Sequence, residues 1–222
     1  MNDIMLETKE LCKSFKRPGG TQIVLNRINL QIYKGKMLAI RGKSGNGKST
    51  LLNILAATMM ADSGEVLYRD IDLQKLSNIQ RARYRREKVG YIPQNLYLLD
   101  DRNVFMNIAL PLHYSRESKR RIKEKVEEIA EKFDINHLLG KEPKTLSRGE
   151  RQRVAICRSI IKIPEILFAD EPTGSLDEEN EQIVLETFRY LKIQGTTIVL
   201  ATHDDSVSKI CDEVYHIGSF GR

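Results

Sequence analysis

The chain has 222 residues, of which 41% are hydrophobic and 30% charged, with a formal net charge of +6. That balance suits one globular domain with a full core and excludes a disordered or collagen-like chain. No apolar run approaches the roughly 20 residues that span a bilayer, and Met1-Asn2-Asp3-Ile4 lacks the basic and then apolar regions of a signal peptide.

In chain order, residues 6–11 and 23–32 alternate apolar and polar positions, as antiparallel strands do, with a turn at Pro18-Gly19-Gly20. Phe15 falls in that hairpin. Tyr33-Lys34-Gly35-Lys36 reads as a turn into a buried strand at 38–40. Asp62-Ser63-Gly64-Glu65 reads as a turn, 66–68 as a short strand and 78–86 as a polar helix. The strand at 89–92 stops at Pro93, which donates no ladder hydrogen bond. From Val104 to about Leu139 the periodicity is helical, with Ile122, Val126, Ile129, Ala130 and Phe133 on one face. A further helix starts near Ser147. Then come a buried strand at 166–169, a helix at 178–191 and a buried strand at 197–201. Strands alternating with helices predict a parallel sheet. Cys12, Cys157 and Cys211 are too widely spaced for a disulfide framework or a zinc site and read as small apolar fillers in a reducing cytosol. The basic runs 81–88 and 116–125 lack interleaved aromatics. They read first as solvated helix faces, second as membrane-proximal patches and last as nucleic-acid contacts, so no nucleic-acid partner is expected.

The chemistry centres on Gly42-Lys43-Ser44-Gly45-Asn46-Gly47-Lys48-Ser49-Thr50, which fits G-x-x-x-x-G-K-[ST] between a strand and a helix. Glycines let the backbone curl so that N–H groups point at phosphates, and the helix N-terminus adds positive potential. In this pattern Lys48 reaches the terminal phosphates of a nucleotide and the Ser49 hydroxyl ligates Mg²⁺. A glycine-rich turn opening an ordinary helix is the bland alternative, which four fixed positions in the right context disfavour. Further on, Ile166-Leu167-Phe168-Ala169-Asp170-Glu171 is an apolar strand ending in two carboxylates. Beside a P-loop, Asp170 holds Mg²⁺ through its water shell, and Glu171 stands where a general base is wanted.

Leu146-Ser147-Arg148-Gly149-Glu150 resembles the LSGGQ signature of ABC-transporter ATPases, and the resemblance covers essentially the whole chain. Gln94 is similar to that family's Q-loop glutamine, residues 170–177 to its Walker B and D-loop, and His203 to its switch histidine. Phe15 matches the aromatic that stacks on adenine, a tyrosine in most members; a core aromatic of the hairpin is the alternative. The resemblance implies ATP and Mg²⁺ as cofactors, with Ser49, Gln94 and Asp170 around the metal and Glu171, His203, Lys48 and Gln94 at the reacting end. It also implies a homodimer on ATP binding, with Ser147 and the Gly149 N–H of one copy completing the γ-phosphate site of the other. Arg148 departs from the motif. Either glycine there only permits close approach and Arg148 is tolerated turned outward, or the position needs φ > 0 and is strained.

The implied fold is α/β: a RecA-like P-loop core with a parallel sheet, an N-terminal antiparallel β subdomain and an inserted α-helical subdomain. The single domain, 1–222, would divide into 1–93 (β subdomain and P-loop part of the core), 94–160 (helical subdomain with the signature) and 161–222 (remainder of the core). DEPTGSLD and the 91–112 pattern look like the subgroup of lipoprotein-release, macrolide or peptide-export and cell-division ATPases (LolD, MacB and FtsE types). The expected function is an ATPase driving a separate transmembrane permease from the cytoplasmic face of the membrane, for export or extraction of a peptide, lipoprotein or drug. The alternative is an ATP-dependent switch that signals through a membrane partner without transport. Residues 94–112, with Leu96, Leu98, Leu99, Val104 and Phe105, are the expected docking region, the alternative being that these apolar groups pack inside the helical subdomain. A chromosome-structure ATPase would carry a long coiled coil and a translation-factor ATPase a second P-loop, and neither appears in this sequence.

Overall fold

The computed structural model describes residues 3–18, 20–115, 117–174 and 176–218. A four-stranded antiparallel sheet has the order β2-β1-β4-β5, from β1 (Ile4–Arg17), β2 (Gly20–Tyr33), β4 (Ser63–Tyr68) and β5 (Ile71–Asp72). The β1–β2 hairpin pairs from Ile4↔Tyr33 to Arg17↔Gly20, with register shifts between Ile4 and Leu6 and between Thr8 and Ser14; Gly19 of the expected turn lies outside the described residues. The other sheet is five-stranded, with order β6-β7-β8-β3-β9. Its strands are β3 (Met37–Arg41), β6 (Val89–Ile92), β7 (Ile166–Asp170), β8 (Thr197–Thr202) and β9 (Glu213–His216), and every neighbouring pair is parallel.

Because strand side chains alternate faces, the parallel sheet feeds two cores. Leu167, Ala169, Ile198 and Leu200 face one, built with α3 (Val104–Ala109), α4 (Lys119–Lys132), α5 (Arg148–Ile160) and α6 (Glu178–Ile193). Ile166, Phe168, Val199 and Ala201 face the other, under the antiparallel sheet, α1 (Lys48–Leu55) and α2 (Asn78–Lys88). Phe168 and Phe188 are fully buried, one in each.

Three sequence expectations need correction. The helical stretch from Val104 to Leu139 is broken. It comprises α3, a 3₁₀ turn at Leu110–Leu112 with Pro111 inside it, α4 capped by the Ser118 side chain, and a second 3₁₀ turn at Asn136–Leu138. Pro111 cannot donate the helical hydrogen bond, and a new cap restarts the helix. The turn expected at 62–65 shrinks, because β4 begins at Ser63 and pairs with β1 as Cys12↔Ser63 and Lys9↔Glu65. Finally, β5, α7 (Asp205–Lys209) and β9 were not anticipated; β9 alternates only weakly and owes its place to pairing with β3.

Parallel strands end on the same edge, and that edge builds the site. Register pairs Ile92 with Ala169, Asp170 with Ala201, and Arg41 with Thr202. The loops leaving β3, β6, β7 and β8 therefore meet there, although they lie up to 160 residues apart in sequence (Gly42, Gln94, Glu171 and His203; 203 − 42 is about 160).

Candidate nucleotide site

The loop after β3 turns with Gly45 at φ 83° and Gly47 at φ 88°. A Cβ on Gly47 would also lie 2.7 Å from Val24 Cγ1 and 2.9 Å from Val24 O, so glycine serves both backbone angle and close approach. Lys48, 7% exposed, folds back so that Nζ donates to Gly42 O at 2.8 Å. A cavity of about 260 Å³ opens beside the loop, lined by Phe15, Ser44, Gly45, Lys48, Thr50 and Glu171, with Gln94 and Ser49 also on its wall. Phe15 reaches it from the β hairpin, with Lys13 Nζ 5.5 Å from the ring centroid.

Glu171 sits in the left-handed region at φ 48°, its N–H donating to Ala201 O at 2.8 Å. That conformation costs a non-glycine residue about 1–2 kcal/mol and turns the carboxylate inward from the end of β7. Its Oε1 lies 3.4 Å from Lys48 Nζ, and its Oε2 lies 2.9 Å from His203 Nδ1, a hydrogen bond whenever Nδ1 carries the proton. One carboxylate thus stands between a lysine at the start of α1 and a histidine just past β8.

Asp170, 5% exposed, is held next to the Ser49 side chain. Burial, more than any neighbour, pushes its carboxyl above the usual range, and its Oδ1 is buried without a hydrogen-bond partner. An orphaned carboxylate oxygen beside a hydroxyl is what a bound cation would satisfy. A second cavity of about 250 Å³ continues past Glu171 and His203 to Asn95, Arg148, Gln152 and Gly174, with Ser44, Gln94 and Glu171 common to both cavities. Lys43 is exposed at the mouth of the loop, and Asn46 N donates to Lys43 O at 3.2 Å within it.

Ser147 and Gly149 line neither cavity. Ser147 N-caps α5 in a capping box: its Oγ accepts from Glu150 N, and its N–H donates to Glu150 Oε2 at 2.6 Å. That backbone hydrogen bond holds the Glu150 carboxyl below its ordinary range. Arg148 is the first residue of α5, outside the left-handed region and exposed, so the position carries no backbone strain. At Gly149 a Cβ would meet Asn180 Oδ1 at 2.7 Å, Cγ at 2.8 Å and Nδ2 at 2.9 Å. Asn180 is itself fixed by Asp177, which accepts from its N–H, and by Arg153.

Contacts made at the site by two residues, Arg41 and Gln152, were not anticipated. Arg41 pairs with Asp205 at 2.5 Å and donates to His203 O at 3.2 Å, tying the loop after β8 to the strand that enters the P-loop. A charged residue ending the apolar strand 37–41, immediately before Gly42, was its signal. Gln152 donates to Pro172 O at 2.8 Å, joining α5 to the loop after Glu171; nothing in the sequence distinguishes it from any helix glutamine.

A family model described as "ABC transporter" matches residues 25–174. The chain belongs to the ABC transporter family. This ABC domain is 36% identical over 213 residues to the macrolide export ATP-binding/permease protein MacB of Campylobacter jejuni. It is also 36% identical over 214 residues to that of Pasteurella multocida. Each alignment covers 96% of this chain but 33% of the relative, so the chain spans about a third of the length of these curated relatives. Among solved structures, the dimeric post-hydrolysis state of the ATP-binding cassette MJ0796 bound to ADP and Pi superposes with a TM-score of 0.92 at 29% identity, covering 97% of this chain and 95% of that one. The cbiO1 protein from Clostridium perfringens, part of the ABC transporter complex cbiONQ, has a TM-score of 0.84 at 28% identity, covering 98% and 86%. The α/β P-loop architecture expected from the motifs is therefore the fold.

Proposed function

We propose that this chain is the ATP-hydrolysing subunit that powers a separate transmembrane partner from the cytoplasmic face of the membrane. The observation that carries the reading is the convergence of Lys48 and His203 on Glu171, which lines the P-loop cavity. ATP is the substrate, its base against Phe15 and its phosphates on residues 42–50. Ser49, Gln94 and Asp170 would hold Mg²⁺, which neutralises charge developing on the phosphate oxygens. Lys48, whose ammonium now rests on Gly42 O and Glu171, is positioned to turn to the phosphates. His203 has the reach to follow the γ-phosphate once it leaves Glu171. Glu171, freed of both contacts, accepts the proton of the attacking water. The resting contacts therefore mask the base until phosphate draws Lys48 and His203 away.

A second copy completes the site through Ser147 and Gly149, and ATP closes the dimer. The dimeric MJ0796 cassette supports this reading. Light scattering should give a monomer without nucleotide and a dimer for Glu171→Gln with Mg-ATP; a nucleotide-independent dimer would require another interface. The cargo class, a peptide, lipoprotein or drug leaving or being extracted, is supported by likeness to macrolide-export relatives.

Docking is assigned to the surface following Gln94, with one revision. Val104 is fully buried, and Leu98 and Phe105 pack partly against the helical core, so they hold the fold. The apolar groups left exposed are Tyr97 (71%), Leu99, Met106, Leu110 and Tyr114 (83%). Leu110→Asp or Tyr114→Asp should release the chain from membranes containing its partner while ATP binding survives, whereas high salt should not. If both variants fold, bind ATP and still sediment, the docking site is elsewhere.

A further inference from the structure

Arg41 is the last residue of β3, and its backbone is fixed between two strands. It pairs with Thr202 of β8 and His216 of β9, and its carbonyl accepts from Ile217 N at 2.8 Å. Gly42 follows, packed so closely that a Cβ there would lie 2.6 Å from Ile217 Cγ2. From this rigid base the Arg41 guanidinium reaches across to the loop after β8. Nη1 lies 2.5 Å from Asp205 Oδ1, and Nη2 donates to His203 O at 3.2 Å. A guanidinium presents its donors in a rigid planar fork, so holding two acceptors fixes orientation as well as distance. With Asp205 74% exposed, the ion pair adds little to stability. Its consequence is positional.

His203 depends on such a grip. Its side chain is 69% exposed, so packing does not place the imidazole; the backbone that carries it does. Elsewhere the loop is tied to β8, where Asp204 N donates to Thr202 Oγ1 at 3.0 Å, and to α6, where Ser206 Oγ donates to Glu181. The Arg41 grip runs instead to the strand that enters the P-loop. Adjacent residues 41 and 42 thereby hold Lys48 and His203, the two side chains that converge on Glu171. Gly42 O accepts from Lys48 Nζ at 2.8 Å, and Arg41 holds the carbonyl of His203, whose Nδ1 lies 2.9 Å from Glu171 Oε2.

We propose that Arg41 is a positioning residue for hydrolysis: gripping the chain at His203 and Asp205, it sets where the His203 imidazole stands relative to Glu171 and the P-loop. The inference rests on the ATPase reading and adds to it the residue that aims His203. Without the grip, the loop keeps its ties to β8 and α6 but loses its register against the P-loop.

The test is a double-mutant cycle on steady-state phosphate release from Mg-ATP, using the parent chain, Arg41→Met, His203→Ala and the two combined. Arg41→Met should lower kcat about ten- to hundredfold, the scale of misplacing a reacting group by about 1 Å. KM should stay near the parent value, because the interaction lost acts on the chemical step. In the His203→Ala background the same substitution should have no further effect. Arg41→Lys, whose compact ammonium lacks the fork, should fall between parent and Arg41→Met. Asp205→Asn removes one of the two grips at an exposed side chain, and should slow release by less than Arg41→Met does. If Arg41→Met does not fold, the cycle of Asp205→Asn with His203→Ala decides. Parent-like kcat in both Arg41→Met and Asp205→Asn, or effects that multiply with that of His203→Ala, overturns the proposal and leaves the ATPase reading standing. A parent chain that releases no phosphate from Mg-ATP overturns both.

Discussion

Gly149→Ala pits two effects of opposite sign against each other. Gly149 is the second residue of α5, where alanine stabilises a helix by about 1 kcal/mol over glycine. Against that, the new methyl would sit 2.7–2.9 Å from three side-chain atoms of Asn180. Asn180 cannot step aside freely, because its Nδ2 donates to Asp177 at 2.7 and 2.9 Å and its Oδ1 accepts from Arg153. Overpacking of this kind costs about 1–3 kcal/mol, so the net expectation is destabilisation of about 0–2 kcal/mol. In an Asn180→Ala background the obstacle is gone. The cap of α6 survives, since Asp177 accepts there from the backbone N–H of residue 180. The same Gly149→Ala change should then stabilise by up to about 1 kcal/mol. Urea unfolding of the four proteins, compared by midpoint at constant m, reads the cycle. If Gly149→Ala has the same effect in both backgrounds, within about 0.5 kcal/mol, Asn180 does not fill the space over Gly149.

Asp62 accepts from Lys13 Nζ, Ser14 N and Ser14 Oγ at 2.6–2.7 Å, which lowers its carboxyl to about 2, the Lys13 contact contributing most. A depressed carboxyl stabilises above its unfolded value of 3.8 and loses that contribution as pH falls toward 2. Asp62→Asn should therefore unfold at lower urea at pH 7, with the difference from the parent shrinking across that acid window; a difference independent of pH would contradict the assignment. Arg148→Gly should preserve or raise the rate of phosphate release, because Arg148 is exposed and unstrained at the first turn of α5. A loss of more than about tenfold, or 1.4 kcal/mol, would mean that Arg148 contacts nucleotide or partner.

Much of this architecture was legible because its signals are local. The P-loop combines glycine angles, a lysine and a helix start within nine residues, and 166–171 shows its apolar strand and acidic end together. The parallel sheet followed from alternation of element types, and with it the edge on which Gln94, Glu171 and His203 meet. What escaped was set by tertiary context. For Val104 and Phe105 the sequence left an exposed docking patch and packing inside the helical subdomain both open, and no periodicity within six residues says which face a neighbour will hide; both pack on the helical core. The space over Gly149 is taken by a side chain about 30 positions away (180 − 149), so the need for glycine there has a packing cause that the signature alone does not reveal. Arg85 of α2, Arg158 of α5 and Lys162 just past it likewise line one groove, and the basic run at 81–88 points only to the first of them. Arg148 is the reverse case. The sequence left strain and tolerance open, and the backbone at the start of α5 decides for tolerance.

The central claim is that Glu171 is the base held in check by Lys48 and His203. Steady-state phosphate release from Mg-ATP, measured for the parent chain and for Glu171→Gln at saturating nucleotide, tests it most directly. The variant should bind ATP as the parent does and turn over about 10²–10⁴-fold more slowly, the loss typical of a missing general base. Parent-like release by Glu171→Gln would contradict the claim.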